Sequence, residues 1–130
     1  MLTVGVFDLL HWGHFELFRR AKELGEKLVV AVQADEYVTK YKPSARLVYN
    51  WDKRAQMIQA LRYVDAVVPY GDIDESIKKI RFDIFAIGED QLHAGFQRAR
   101  EWCNQNGKRV VELSRTRGIS SSQLRVGGMA

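Results

Sequence analysis

The chain has 130 residues, 46% of them hydrophobic, which is enough for one domain with a buried core and leaves no room to expect a second. Its formal net charge of +4 and pI near 9.3 point to anionic ligands, but 20 basic residues set against 16 acidic ones make no polybasic arm. No basic stripe is interleaved with stacking aromatics, so no nucleic-acid partner is expected.

No apolar run approaches the ~18 residues that span a bilayer, and the N-terminus lacks the basic-then-apolar layout of a secretory leader. The single cysteine, Cys103, can form no internal disulfide, and no Cys/His spacing resembles a zinc site. A reduced, cytoplasmic setting without a membrane partner is the expectation.

In chain order, Leu2 to Phe7 is a brief apolar run bounded by Asp8, which predicts a first strand. From His14, Phe15, Leu17, Phe18, Ala21 and Leu24 recur at helical spacing, and Gly25 stands where a C-cap would. Leu28 to Val32 is an uninterrupted apolar run, rich in valine, suited to a strand covered on both faces. Asp35 to Tyr49, with Lys40, Lys42, Pro43, Ser44 and Arg46, reads as a long, basic, irregular loop. Asn50 is placed to cap a helix whose apolar face would hold Ala55, Met57, Ile58 and Leu61; Arg54, in mixed-charge surroundings, reads as a surface residue.

Ala66 to Val68 predicts a third strand that Pro69 ends, and Asp72 or Asp74 would cap a short helix through Ile80. Ile84 to Ile87 forms a fourth strand stopped by Gly88. A helix with Phe96, Ala99, Trp102 and Cys103 inward runs to Asn106-Gly107, and Arg109 to Leu113 is a fifth strand. Ser120 and Gln123 make a capping box for a last short helix. Strands alternating with helices imply an α/β fold, a parallel sheet with helices on both faces, whose ligands bind beyond the carboxyl ends of the strands.

Three stretches fall at such ends: Gly5 to His14, Gly88 to Asp90, and Arg115 to Ser122. His11 and His14, three apart at a helix start with Gly13 between them, suit an anion met by free backbone N–H groups. They are not a zincin pair, which needs a spacing of four and an intervening glutamate. Asp8 could cap the turn or hold a metal, with capping preferred, and Trp12 reads as packing. Lys42 and Arg46 could clamp phosphates from the basic loop. In Arg115-Thr116-Arg117-Gly118-Ile119-Ser120-Ser121-Ser122, glycine permits a tight turn and the serines can donate to phosphate oxygens.

Gly5 to His14 reads as the GxFDxxHxGH form of the HxGH signature, and Arg115 to Ser122 resembles an RTxGISSS signature. Together they resemble those of the nucleotidyltransferases related to glycerol-3-phosphate cytidylyltransferase, and the similarity spans nearly the whole chain. The resemblance implies a single Rossmann-like domain over residues 1–130, with five parallel strands in the order 3-2-1-4-5, acting as a homodimer. It implies that CTP and a phosphorylated alcohol become a CDP-alcohol and pyrophosphate, with Mg²⁺ arriving on the nucleotide and no metal held by protein ligands.

By position, the resemblance assigns His11 and His14 to the triphosphate and to charge building at the α-phosphate. Gly5, Val6, Phe7 and Gly13 would lie beside it, and Asp8 would shape the turn. Lys42 would approach the phosphates from the loop, with Lys40 and Arg46 as alternatives, and Arg54 would bind the acceptor phosphate. Asp90, Arg115, Thr116, Ile119 and Ser120 would line the nucleotide pocket. Val6 stands where a small hydroxyl residue is frequent in the family, and the basic loop differs in length and lysine placement from the glycerol-3-phosphate enzymes. The rival readings are an adenylyltransferase using ATP, like the archaeal FAD synthetases, and a non-catalytic nucleotide-binding protein.

Overall fold

A computed structural model describes residues 1–88, 91 and 93–113. The chain runs β1 (Leu2–Gly5), α1 (Trp12–Glu23), β2 (Val29–Gln33), α2 (Asp35–Tyr41), α3 (Trp51–Gln59), β3 (Ala66–Tyr70), α4 (Ile73–Ser76), β4 (Ile84–Gly88), α5 (Ala94–Gln105) and β5 (Arg109–Leu113). All strand pairings are parallel, in the order β3-β2-β1-β4-β5, as expected. The order reverses at β1, whose exit therefore opens the crevice where this architecture binds ligands.

Side chains along the inner strands alternate between two cores. Val30 and Val32 of β2 and Ala86 of β4 pack with Phe18 and Ala21 of α1 and Ile58 of α3. Leu2 and Val4 of β1, Ala31 of β2, and Phe85 and Ile87 of β4 pack with Ile73 of α4 and with Phe96, Ala99 and Cys103 of α5. Helices thus cover both faces, and the near-continuous apolar strands reflect that double burial.

Several expectations are corrected. The first strand stops at Gly5 because the chain turns sharply at Phe7, where φ is +53°. The first helix begins at Trp12 with His11 as its N-cap. Residues 35–41 of the supposed loop form α2: Asp35 and Glu36 complement its N-terminal dipole and Val38 is buried, although Ala34 gives no side-chain cap. Only 42–50 remains irregular there.

Strand β3 continues through Pro69, because it is an edge strand and the missing N–H faces no neighbour on that side. Asn50 caps α3 as expected, its side chain accepting from Lys53 N at 3.1 Å, but Met57 is 39% exposed and Arg54 is buried in the face assigned to it. Among the described residues, no helix is long and apolar enough to cross a membrane.

These burials separate two substitutions that sequence would treat alike. Phe18→Ala, at a site with no solvent exposure, is expected to cost about 3–5 kcal/mol in urea unfolding. Met57→Ala is expected to cost less than about 0.5 kcal/mol, and a loss comparable to that of Phe18→Ala would contradict this placement.

Candidate active site

The turn after β1 is shaped by Phe7. Its left-handed backbone folds the ring back over Gly5, where an added Cβ would lie 2.7 Å from Phe7 Cζ, so a side chain at position 5 would displace the ring. The same ring meets His14 and Phe18 edge-on, each with centroids 5.2 Å apart. A conformation disfavoured for a bulky residue is thus held by packing on three sides, and it fixes where α1 starts.

At that start, His11 Nδ1 accepts the Gly13 N–H at 3.0 Å and caps α1. While it caps, Nδ1 carries no proton and Nε2–H is the ring's donor. The His11 and His14 rings stack with centroids 3.8 Å apart and planes 21° from parallel. His14 Nδ1 is buried without a hydrogen-bond partner among the described residues. Burial, and secondarily the neighbouring His11, lowers the His14 pKa from 6.5 to about 4. His14 is therefore neutral near pH 7, and the two rings lie beside a helix N-terminus, an arrangement suited to an anion. Trp12, expected to pack, is 56% exposed and stacks on Phe15 at 5.0 Å.

Arg54 is buried and not on the surface as its helix context suggests. Its Nη1 donates to Val6 O at 2.8 Å, its Nε to Tyr49 O at 3.1 Å, and its Nη2 pairs with Asp35 Oδ1 at 2.5 Å. One guanidinium so joins the β1 exit, the end of the 42–50 segment and the start of α2. Asp8, also buried, makes the second tie. Its carboxylate accepts Val48 N–H at 2.9 Å and Tyr49 N–H at 2.9 Å, which ties the turn after β1 to the end of the 42–50 segment.

Lys42 and Arg46 stand exposed on the segment between. Lys40, their alternative, is drawn to Asp72 Oδ1 at 3.0 Å.

Gln91 and Asp35 were not singled out from sequence. Gln91 Nε2 donates to Val4 O at 2.9 Å while its Oε1 accepts Gly88 N–H at 2.9 Å, stitching the β4 exit to β1. The signal for Asp35 was an acidic pair directly after a buried strand, which favours a helix start. Asp90, Arg115, Thr116, Ile119 and Ser120 lie outside the described residues.

A family model described as cytidylyltransferase-like matches residues 2–127. A glycerol-3-phosphate cytidylyltransferase from Staphylococcus aureus is 36% identical over 129 residues, 96% of this chain and 91% of that protein. An FAD synthase from Thermococcus kodakarensis is 37% identical over 129 residues, 97% of this chain and 78% of that protein. Among solved structures, a lipopolysaccharide core biosynthesis protein from Thermoplasma volcanium superimposes with a TM-score of 0.71 at 27% identity, over 88% of this chain and 93% of that one.

Two outcomes follow from the geometry. Because the folded chain binds the His14 proton more weakly than the unfolded chain, the stability linked to neutral His14 is complete above pH 6.5 and is lost as pH falls towards about 4. The urea midpoint is expected to fall across that window, less steeply in His14→Gln, and the His14 ring resonances to titrate near pH 4; titration near 6.5 would contradict the burial. Arg54→Lys, which cannot reach all three acceptors, is expected to cost about 2–3 kcal/mol in urea unfolding, and an unchanged midpoint would sink the tying role.

Proposed function

The chain belongs to the cytidylyltransferase-like family, and from that premise we propose that it transfers CMP from CTP to a small phosphorylated alcohol such as glycerol 3-phosphate, releasing pyrophosphate. The observation that carries this reading is the stacked His11–His14 pair at the N-terminus of α1, with His14 held neutral. The likeness to a glycerol-3-phosphate cytidylyltransferase over nearly the whole of both chains supports it.

An oxygen of the acceptor phosphate attacks the α-phosphorus in line. A new P–O bond forms, the bond to the bridging α–β oxygen breaks, and its electron pair leaves with pyrophosphate. The acceptor phosphate is largely ionised near pH 7, so no general base is needed, and the protein's work is alignment and charge stabilisation. Neutral imidazoles suit that work: they donate to developing charge at the α-phosphate without binding the ground-state triphosphate as tightly as fixed cations would. Magnesium, as part of the nucleotide substrate, supplies charge neutralisation on the phosphates.

Lys42 and Arg46 meet the acceptor side from their exposed segment. Arg54 contributes by holding the Val6 carbonyl and the end of that segment; with no exposed side-chain surface and its Nε and both Nη groups engaged, it is not placed to take the acceptor-phosphate contact that the resemblance implies. Gly5, Phe7 and Gly13 shape the backbone around the triphosphate. Asp90, Arg115, Thr116, Ile119 and Ser120 complete the nucleotide pocket by the positions that the resemblance gives them, and the reaction takes place in a homodimer.

The FAD synthase likeness at comparable identity favours a second reading, adenylyl transfer from ATP on the same fold. Pyrophosphate release measured with each of the four NTPs against a panel of phosphorylated alcohols and FMN decides between them. CTP with a phosphorylated alcohol is the expected pair; turnover with ATP alone would replace the lead reading, and nucleotide binding without any turnover would remove both. His11→Asn, which keeps a capping side chain but loses the imidazole, is expected to retain the fold and lose about 10²–10³ in kcat.

A further inference from the structure

A second cluster of aromatic and ionisable side chains lies where α2 ends and α5 begins, outside the histidine pair. Tyr41, the last residue of α2, stacks on His93 with centroids 5.8 Å apart and planes 19° from parallel. Its hydroxyl donates to Asp72 Oδ1, the carboxylate that Lys40 Nζ also reaches at 3.0 Å. His93 is itself fixed: its Nδ1 accepts the Gly95 N–H at 3.1 Å as the N-cap of α5, and its ring meets Phe96 edge-on at 4.5 Å. Gly95 leaves the space for that ring, since an added Cβ would lie 2.8 Å from His93 Cε1. Hydrogen bonding to Asp72, with burial second, pushes the Tyr41 hydroxyl up to about 12, so it remains a donor throughout the neutral range.

Tyr41 runs directly into the segment that carries Lys42 and Arg46, and the far end of that segment is held by Asp8 through Val48 and Tyr49. The segment is therefore a strap between two posts. One post belongs to the nucleotide turn after β1, the other to the opposite layer of the sheet, where Phe96 is part of the core.

We propose that Tyr41, stacked on His93 and tied to Asp72, is a positioning residue that sets where Lys42 and Arg46 stand and thereby governs binding of the phosphorylated acceptor and not of the nucleotide. The inference rests on the transfer reading above. Its physical basis is population: a strap released at one post spends less time in the competent position, and the apparent acceptor affinity falls by that fraction.

The test uses the full chain and three variants. Tyr41→Ala removes both the stack and the Asp72 bond, Tyr41→Phe removes the bond alone, and His93→Asn removes the stack while keeping a capping side chain. In Tyr41→Ala the acceptor KM is expected to rise about tenfold, with the nucleotide KM and kcat within about threefold of wild type; the other two variants fall between. Trypsin provides a readout independent of turnover: Lys42 precedes Pro43 and resists cleavage, so cutting after Arg46 reports the strap, and it is expected to quicken about fivefold in Tyr41→Ala.

An unchanged acceptor KM in Tyr41→Ala, or equal rises for both substrates, would overturn the acceptor role while the wild type still turns over. Unchanged cleavage after Arg46 would overturn the anchoring itself. A wild type inactive on every nucleotide and acceptor would overturn the transfer reading, and the acceptor role with it.

Discussion

The arrangement at the top of the sheet depends on one buried guanidinium. Arg54 has no exposed side-chain surface and holds two backbone carbonyls and a carboxylate from three separate parts of the chain. A buried charge so placed cannot be relocated without leaving unpaired groups behind, which makes the relative positions of the β1 exit, α2 and the 42–50 segment mutually dependent. Asp8 is its acidic counterpart, a buried carboxylate satisfied by main-chain N–H groups of the same segment. Arginine and aspartate thus act here as connectors of backbone, a task their fixed donor and acceptor geometry suits.

The histidine pair solves a different problem. Placing two imidazolium charges 3.8 Å apart in a half-buried turn would be costly, and the structure avoids it by making one ring a helix cap and burying the other. In the proposed transfer, attraction for a triphosphate is left to the helix N-terminus and to cations further out, and the imidazoles provide direction. Phe7, bent into a left-handed turn and wedged between Gly5, His14 and Phe18, keeps that direction from drifting.

What could be read from sequence follows from the range over which each signal acts. The buried strands announced themselves because Leu28 to Val32 and Ile84 to Ile87 are covered on both faces, and α5 because Asn106-Gly107 closes a clear periodic run, with Gly107 at φ +72°. Helix α2 was hidden by its composition, since Ala34 offers no cap and the lysines resemble a loop. Strand β3 was shortened because a proline reads as an end until the strand's place at the sheet edge is known.

At the site, the histidine turn was legible as local pattern. The roles of Arg54 and Asp8 were not, since their partners lie up to 48 and 41 residues away and only the fold brings them together. Tyr41 and His93 carried no motif at all.

Pro69 has one more consequence. In the outermost strand of a parallel sheet, every outward N–H and C=O is an invitation for another extended chain to pair, and strands rich in valine such as β3 accept it readily. A proline there blunts the invitation, because the ring is exposed and supplies no donor for a sixth strand. Growth of the sheet past β3 is discouraged, so copies of this chain that meet at that edge must do so through side chains and not by extending the ladder there.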